Sequence, residues 1–220
     1  MTISIVKDLV PSNKYSIKCP YSMKAEYITV HNTANDASAR NEIAYMISNN
    51  NQVSFHYAVD DKEIIQGIPE NLNAWHAGDG TNGRGNRKGL SIEICYSKSG
   101  GQRFIESEKL AAKFIAYKLK EKGWGIDKVK KHQDFSGKYC PHRTLDMGWQ
   151  RFLDMVQSEL NALKGVDKVT DKNTPSSWAK EAWEWAKKEG ITDGTRPKDT
   201  MTREEMVTIL YRYHKQVARK

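Results

Sequence analysis

The chain has 220 residues, a formal net charge of +8 and hydrophobic residues at 38%, which indicates a globular protein with one ordinary domain and a small appendage. No apolar stretch approaches the ~20 residues that cross a bilayer, so we expect no membrane insertion. Because the positive charge is spread along the chain, nucleic-acid binding is disfavoured. The N-terminus lacks a basic start followed by an apolar run, so we expect no signal peptide and synthesis in the cytoplasm.

Alternating strand and helix patterns over residues 1–165 predict an α/β domain. The predicted strands cover 26–32, 53–59, 63–68 and 90–96, with a further short strand at Val129. The predicted helices cover 39–48, 106–122 and 149–163. A Gly-rich stretch at 74–89 is too long for a simple turn, so we expect it to be a functional loop.

The C-terminal part has a different pattern. Residues 166–175 are polar and aperiodic, which predicts a linker. Residues 176–220 predict a small all-α domain of two helices, the first ending at Gly190 and the second opened by a capping box of Thr202 and Glu205. Trp178, Trp183 and Trp185 give the first helix a wide apolar surface that one short partner helix would leave partly uncovered.

Three potential metal ligands lie far apart in the chain. His31 ends the apolar run 27–30, and His132 and Cys140 lie in a turn-rich loop after the Val129 strand. Two imidazoles and one thiolate suit zinc, and three protein ligands leave one coordination position for water. The sequence therefore predicts a catalytic zinc site and a hydrolase.

Two further residues favour catalysis. Glu93 lies on a strand that should be central, where a buried carboxylate is costly unless it is paired or catalytic. Lys138 precedes Cys140 by two residues, so it can point toward a group bound at the metal. His142 is an alternative fourth ligand, which would make the site structural, but the fixed φ of Pro141 makes joint coordination with Cys140 awkward.

Five segments together resemble a known family: YITVHNT (27–33), VSFHYAVDD (53–61), NAWHAGDG (73–80), SIEICYS (91–97) and HQDFSGKYCPHR (132–143). They are similar to the zinc-dependent N-acetylmuramoyl-L-alanine amidases, which include phage and prophage endolysins and share a fold with peptidoglycan recognition proteins and phage T7 lysozyme. The resemblance spans about residues 10–163. It implies a mixed central β-sheet flanked by helices, and a bacterial peptidoglycan substrate cut between N-acetylmuramic acid and L-alanine.

The same resemblance implies roles for the candidate residues. Zn²⁺ would be held by His31, His132 and Cys140, while Glu93 would handle the proton of the attacking water and Lys138 would stabilise the oxyanion. The alternative is a non-catalytic peptidoglycan recognition protein, which loss of the cysteine ligand would favour. Since Cys140 is present, the resemblance favours the enzyme, released to the cell wall by a separate membrane pore as phage enzymes are.

Three more residues are candidate substrate contacts. His56 alternates with aromatic residues on a predicted strand, so it lines the substrate groove or fills a polar core position. His76, in the Gly-rich loop, is predicted to contact substrate and not to bind the metal. Trp75 either stacks on a sugar face or packs the loop down.

The C-terminal segment 178–210 resembles a single S-layer-homology motif. Such motifs usually act in threes to hold secondary cell-wall polysaccharide, and only one occurs here. We therefore expect this module either to bind a cell-wall polymer or to form a homo-oligomer, with a hairpin packed on itself as the third alternative.

Overall fold

The computed structural model of the chain describes residues 3–164, 174–175, 179–195 and 201–217. The chain divides into two units, Met1–Gly165 and Val166–Lys220. Most of the predicted linker, residues 166–173, and Trp178 lie outside the described residues.

Six strands form one sheet in the first unit. They are β1 (Val6–Lys7), β2 (Tyr27–Asn32), β3 (Tyr57–Val59), β4 (Ile64–Gln66), β5 (Gly89–Ile94) and β6 (Val129–Lys131). The order across the sheet is β1-β4-β3-β5-β2-β6. Only the β3–β4 pair is antiparallel, so the sheet is mixed, which confirms the predicted fold class.

Helices connect the strands along the chain and pack against the sheet. In the first unit they are α1 (Tyr15–Lys18), α2 (Ala39–Ser48), α3 (Arg84–Lys88), α4 (Gly101–Lys122), α5 (Gln133–Ser136), α6 (His142–Asp146) and α7 (Trp149–Leu163). Helix α2 packs on β3 and β4, α4 packs on β3 and β5, and α7 packs on α4. Every residue of β2 is buried, as expected for a central strand of a largely parallel sheet covered by helices.

Helix boundaries follow local signals closely. Helices α2 and α7 have the predicted bounds, and Ser38 caps α2 by accepting a hydrogen bond from the Asn41 amide. Helix α4 ends at the predicted Gly123, which adopts the left-handed conformation (φ 67°) that glycine reaches without strain. It begins at Gly101, five residues earlier than predicted, so that Phe104 extends its buried face.

The strand predicted over 53–59 was too long. Only Tyr57–Val59 is a strand, because the residues before it place their amides outside the sheet ladder. The Phe55 amide donates to Met46 Sδ and the His56 amide donates to Ser91 Oγ. The predicted long loop 74–89 contains the short helix α3 at its end.

The second unit contains α8 (Lys180–Lys188) and α9 (Arg203–Val217). The predicted capping box is confirmed, since the Glu205 amide donates to Thr202 Oγ1 and the Thr202 amide donates to Glu205 Oε2. Large apolar side chains on these helices stay exposed, among them Val207 at 62% and Leu210 at 55%. No helix in the described part of the chain is long and apolar enough to cross a membrane.

Candidate metal centre and active-site clefts

The parallel register of three adjacent strands sets the geometry of the site. Strand β2 lies between β5 and β6, and His31 on β2 pairs with Glu93 on β5. Val30 pairs with Lys131, the last residue of β6, so His132 follows at the level of His31. Parallel strands end at the same edge of a sheet, and this edge is where such folds place their sites. Glu93, His31 and His132 therefore stand in a row across three strands.

The loop after β6 returns Cys140 to this row. The Gln133 amide donates to the Cys140 carbonyl oxygen over 3.1 Å, which closes the loop around α5. The buried Asn32, next to His31, then fixes the chain beyond the cysteine. Its Oδ1 accepts from the amides of Arg143 (2.9 Å) and Thr144 (3.2 Å). Asn32 thus ties the cysteine loop to the strand that carries the histidine, a role that sequence patterns did not reveal.

Three donor atoms converge at the sheet edge. His31 Nδ1 lies 3.1 Å from His132 Nδ1 and 3.9 Å from Cys140 Sγ. All three ligand atoms lie within 4.8 Å of one another, and all three residues are buried. The arrangement can hold a metal ion, and these are the three residues that the sequence predicted to come together.

His76 supports the second ring nitrogen of His31. His31 Nε2 lies 3.0 Å from His76 Nδ1, and the two rings meet edge to face. In the tautomer that leaves His31 Nδ1 free for a metal, Nε2 carries the proton and donates to His76. His76 is only 8% exposed. It acts here as a partner of a ligand candidate, which sequence reasoning had not foreseen.

Burial keeps the histidines in the form that binds metals. The pKa of His31 lies well below its ordinary value because the ring is buried, with the charges of His76, His132 and Lys138 adding to the effect. The pKa of His132 is lowered for the same leading reason. Burial raises the pKa of the Cys140 thiol to about 11, so a bound cation is needed to favour its thiolate at neutral pH.

Glu93 is a largely buried carboxyl group, with 16% of its side chain exposed, that faces the triad. Its Oε1 lies 3.9 Å from His31 Nδ1. Its Oε2 has no hydrogen-bond partner among the described residues. Burial, and secondarily the charge of Glu42, raises the pKa of Glu93 to about 8, while Lys138 opposes the shift. A carboxyl group so placed can take up and release a proton near neutral pH.

Two clefts meet at the triad. The first cleft extends from it along α2 and is lined, among others, by Asn35, Glu42, Tyr45, Asn49 and Asn51. The second cleft extends toward the Gly-rich loop and is lined, among others, by Gln52, Trp75, Gly78, Thr81 and Ser136. Val53, His76, His132 and Lys138 border both clefts. Within the described chain, no hydrogen-bond or ion-pair partner holds the Lys138 ammonium, which leaves it available to a bound molecule.

The geometry bears on two of the weighed alternatives. His142 is not grouped with the three donors in the described part of the chain, and its Nε2 lies 3.4 Å from the Ser97 carbonyl oxygen. His56 is fully buried, with its ring nitrogens beside Ser91 Oγ and the Leu72 carbonyl oxygen. The prediction that it contacts substrate was wrong, because it fills the polar core position that was the other possibility.

Trp75 packs the Gly-rich loop down. It is 9% exposed, and its Nε1 donates to the Ile17 carbonyl oxygen over 3.0 Å. Tyr21 packs edge-on against the same indole. Trp75 borders the second cleft, and of the two alternatives weighed for it the contacts support the packing role. His76 borders both clefts, as its predicted contact with substrate requires.

Comparison with known proteins identifies the family of the chain. A family model described as N-acetylmuramoyl-L-alanine amidase matches residues 21–143, which include all three donors, Glu93 and Lys138. The amidase CwlA of Bacillus subtilis is 55% identical over 94% of this chain and 77% of its own length. The amidase XlyB of the same organism is 57% identical over 81% of this chain and 56% of its own length.

Solved structures of related proteins have a similar fold. PlyL is 55% identical, with a TM-score of 0.68 over 70% of this chain and 97% of PlyL. The catalytic domain of XlyA is 38% identical, with a TM-score of 0.64 over 70% of this chain and 99% of that domain. These relatives support the enzyme over the non-catalytic recognition protein. The chain belongs to the N-acetylmuramoyl-L-alanine amidase family.

Proposed function

We propose that this amidase is a zinc enzyme of the bacterial cell wall, in which His31, His132 and Cys140 hold the ion. It cleaves the amide bond between N-acetylmuramic acid and L-alanine in peptidoglycan. Glu93 carries the proton and Lys138 stabilises the oxyanion. The convergence of three soft donor atoms beside a buried carboxyl group is the observation that supports this proposal most strongly.

The donor atoms fit zinc. For Zn–N bonds of about 2.0 Å and a Zn–S bond of about 2.3 Å, tetrahedral coordination places two nitrogens about 3.3 Å apart and a nitrogen and a sulfur about 3.5 Å apart. The two distances from His31 Nδ1, 3.1 Å to His132 Nδ1 and 3.9 Å to Cys140 Sγ, agree within a few tenths of an ångström, and all three donor atoms lie within 4.8 Å of one another. A thiolate among imidazoles favours zinc over the hard cations Mg²⁺ and Ca²⁺.

When bound, zinc supplies Lewis acidity and lowers the pKa of a coordinated water toward ~7. Glu93 accepts the proton of the attacking water and delivers it to the leaving amine of L-alanine. The unpartnered Oε2 gives this carboxyl group a free oxygen for the transfer.

Lys138 provides the positive charge for the tetrahedral oxyanion on the lactyl carbonyl. It borders both clefts beside His132, and its charge acts on Glu93 and on His31. A cation at the place where negative charge develops stabilises the transition state more than the ground state. The two clefts then receive the two halves of the substrate on either side of the scissile bond.

Replacing Cys140 by serine tests the metal assignment. We expect Cys140→Ser to lose zinc from about one ion per chain to near none, because serine is a poor zinc ligand. Hydrolysis, followed by mass analysis of digested peptidoglycan for free L-alanine amino termini, should be lost with it. Cys19→Ser is the matched control, since Cys19 is a buried free cysteine outside both clefts. A Cys140→Ser protein with full zinc and full turnover would refute the assignment.

Replacing Glu93 by glutamine tests the proton carrier. Glu93→Gln keeps the shape of the side chain but cannot accept a proton. We expect zinc content and thermal stability close to wild type, with kcat lowered by about 10²–10⁴-fold. Steady-state kinetics together with zinc quantitation decide the outcome. Near-wild-type turnover in the zinc-loaded variant would remove Glu93 from the mechanism.

The C-terminal helices carry a separate proposal. Their exposed apolar side chains, including Leu210 and Tyr211 at 58%, offer a surface either to a secondary cell-wall polymer or to a second copy of the chain. Light scattering of the free chain and sedimentation with purified cell walls separate these alternatives. If light scattering finds one chain per particle both for the full chain and after deletion of residues 167–220, self-association is excluded. Wall affinity that is unchanged by the same deletion would exclude the polymer-binding role, since the remaining binding then comes from the catalytic unit alone.

A further inference from the structure

One wall of the active-site clefts has no helix or strand of its own. Residues 49–53, here called the rim segment, join α2 to the chain that leads into β3. Asn49 and Asn51 line the first cleft, Gln52 lines the second, and Val53 borders both. Val53 is 65% exposed. A substrate that occupies the clefts on both sides of the triad must pass along this segment.

Lys18 holds the rim segment from beneath. Its Nζ donates to Asn49 Oδ1 over 2.9 Å, to the Val53 carbonyl oxygen over 3.1 Å, and to the Asn51 carbonyl oxygen. An ammonium group has three N–H donors, so all three are used on one five-residue segment. The three acceptors span the segment from its first residue to its last.

Lys14 acts beside it on the end of helix α2. Its Nζ donates to the carbonyl oxygens of Ile47 (2.6 Å), Ser48 (3.0 Å) and Asn49 (3.3 Å). The last carbonyl groups of a helix lack partners within it, and a cation at this end also interacts favourably with the helix dipole. Lys14 therefore fixes the point at which the rim segment begins.

The burial of Lys18 is unusual for a lysine. The residue is 0% exposed, and no carboxylate of the described chain lies within ion-pair distance of its ammonium. Burial, together with the charge of Lys14, lowers the pKa of Lys18. Lys118 shows the usual arrangement, since its buried ammonium pairs with Glu70 at 2.7 Å and with Glu121 at 2.8 Å. Placing a lysine under carbonyl oxygens alone is costly, and the segment that it orders is the wall of the clefts.

The cleft walls also donate hydrogen bonds back to helix α1. Ser54 Oγ, directly after the rim segment, donates to the Lys18 carbonyl oxygen over 2.6 Å. Trp75, which borders the second cleft, donates through Nε1 to the Ile17 carbonyl oxygen. Helix α1, which takes no part in the metal centre, is thus bonded to the walls of both clefts.

We propose that Lys18, assisted by Lys14, is a positioning residue that holds the rim segment in the shape that binds the peptidoglycan strand. This inference rests on the proposed amidase function. The rim is ordered before substrate arrives, so binding does not have to supply its ordering entropy. Because the triad and Glu93 are placed by strand register and not by α1, Lys18 governs substrate binding and leaves the chemical step alone.

The test compares Lys18→Met with Lys118→Met. Both variants replace a buried lysine by an apolar side chain of similar length, but Lys118 borders neither cleft. Kinetics use a soluble N-acetylmuramoyl peptide, alongside zinc content, thermal unfolding and amide hydrogen exchange of residues 49–53. We expect Lys18→Met to raise KM about tenfold, with kcat within about twofold of wild type and zinc content unchanged. Exchange in the rim segment should rise. Lys118→Met should lower thermal stability without changing KM.

Three outcomes would overturn the proposal that Lys18 positions the rim segment. A folded Lys18→Met protein with unchanged KM would overturn the proposal, and so would an equal rise in KM for Lys118→Met. If Lys18→Met does not fold, Lys14→Met takes its place, and an unchanged KM in that variant overturns the proposal. Absence of hydrolysis by the wild-type chain would refute the amidase function instead. Hydrogen exchange would then still decide whether Lys18 orders the rim.

Discussion

Three adjacent parallel strands, β5, β2 and β6, end at one edge of the sheet, and their register decides where the chemistry can occur. The pairing of His31 with Glu93, and of Val30 with the last residue of β6, puts a carboxyl group and two imidazoles side by side. A slip of one residue in β2 would turn His31 to the other face of the sheet. Because β2 is buried along its whole length, packing on both faces opposes such a slip.

Buried polar side chains then orient the residues that the strand register brings together. His76 orients the ring of His31, and Asn32 ties down the loop that carries Cys140. Partners of this kind orient metal ligands and tune their basicity. The lysines beneath the rim segment do the corresponding work for the walls of the clefts. The site therefore has a rigid floor made by the sheet and a wall that is ordered by side chains.

Much of this could be predicted from the sequence. Helices α2 and α7, the stop at Gly123 and the capping box at Thr202 follow from local signals that act within a few residues. The donor triad could be predicted because two imidazoles and a thiolate suit zinc, and because the resemblance of five segments to a known family implied the same three residues.

The errors arose where a local sequence pattern cannot determine which way a side chain points or whether a backbone amide pairs with a neighbouring strand. His56 lies in a segment that borders the site, but its ring points into the core because its partners, Ser91 among them, lie there. For Trp75 the sequence left packing and sugar stacking open, and the distant Ile17 carbonyl oxygen supports packing. The strand before Tyr57 was overestimated because its amides are satisfied by side chains and loops instead of a neighbouring strand. Lys18 gave no signal at all, since a lysine in a polar N-terminal segment has the pattern of an exposed residue.

X-ray absorption at the zinc edge of the zinc-loaded chain tests the triad most directly, since it counts sulfur and nitrogen or oxygen neighbours without depending on activity. Ligation by His31, His132 and Cys140 predicts one sulfur at about 2.3 Å and the remaining nitrogen or oxygen ligands at about 2.0–2.1 Å. A first coordination shell without sulfur, or with two sulfur atoms, would contradict the assignment of zinc to this site.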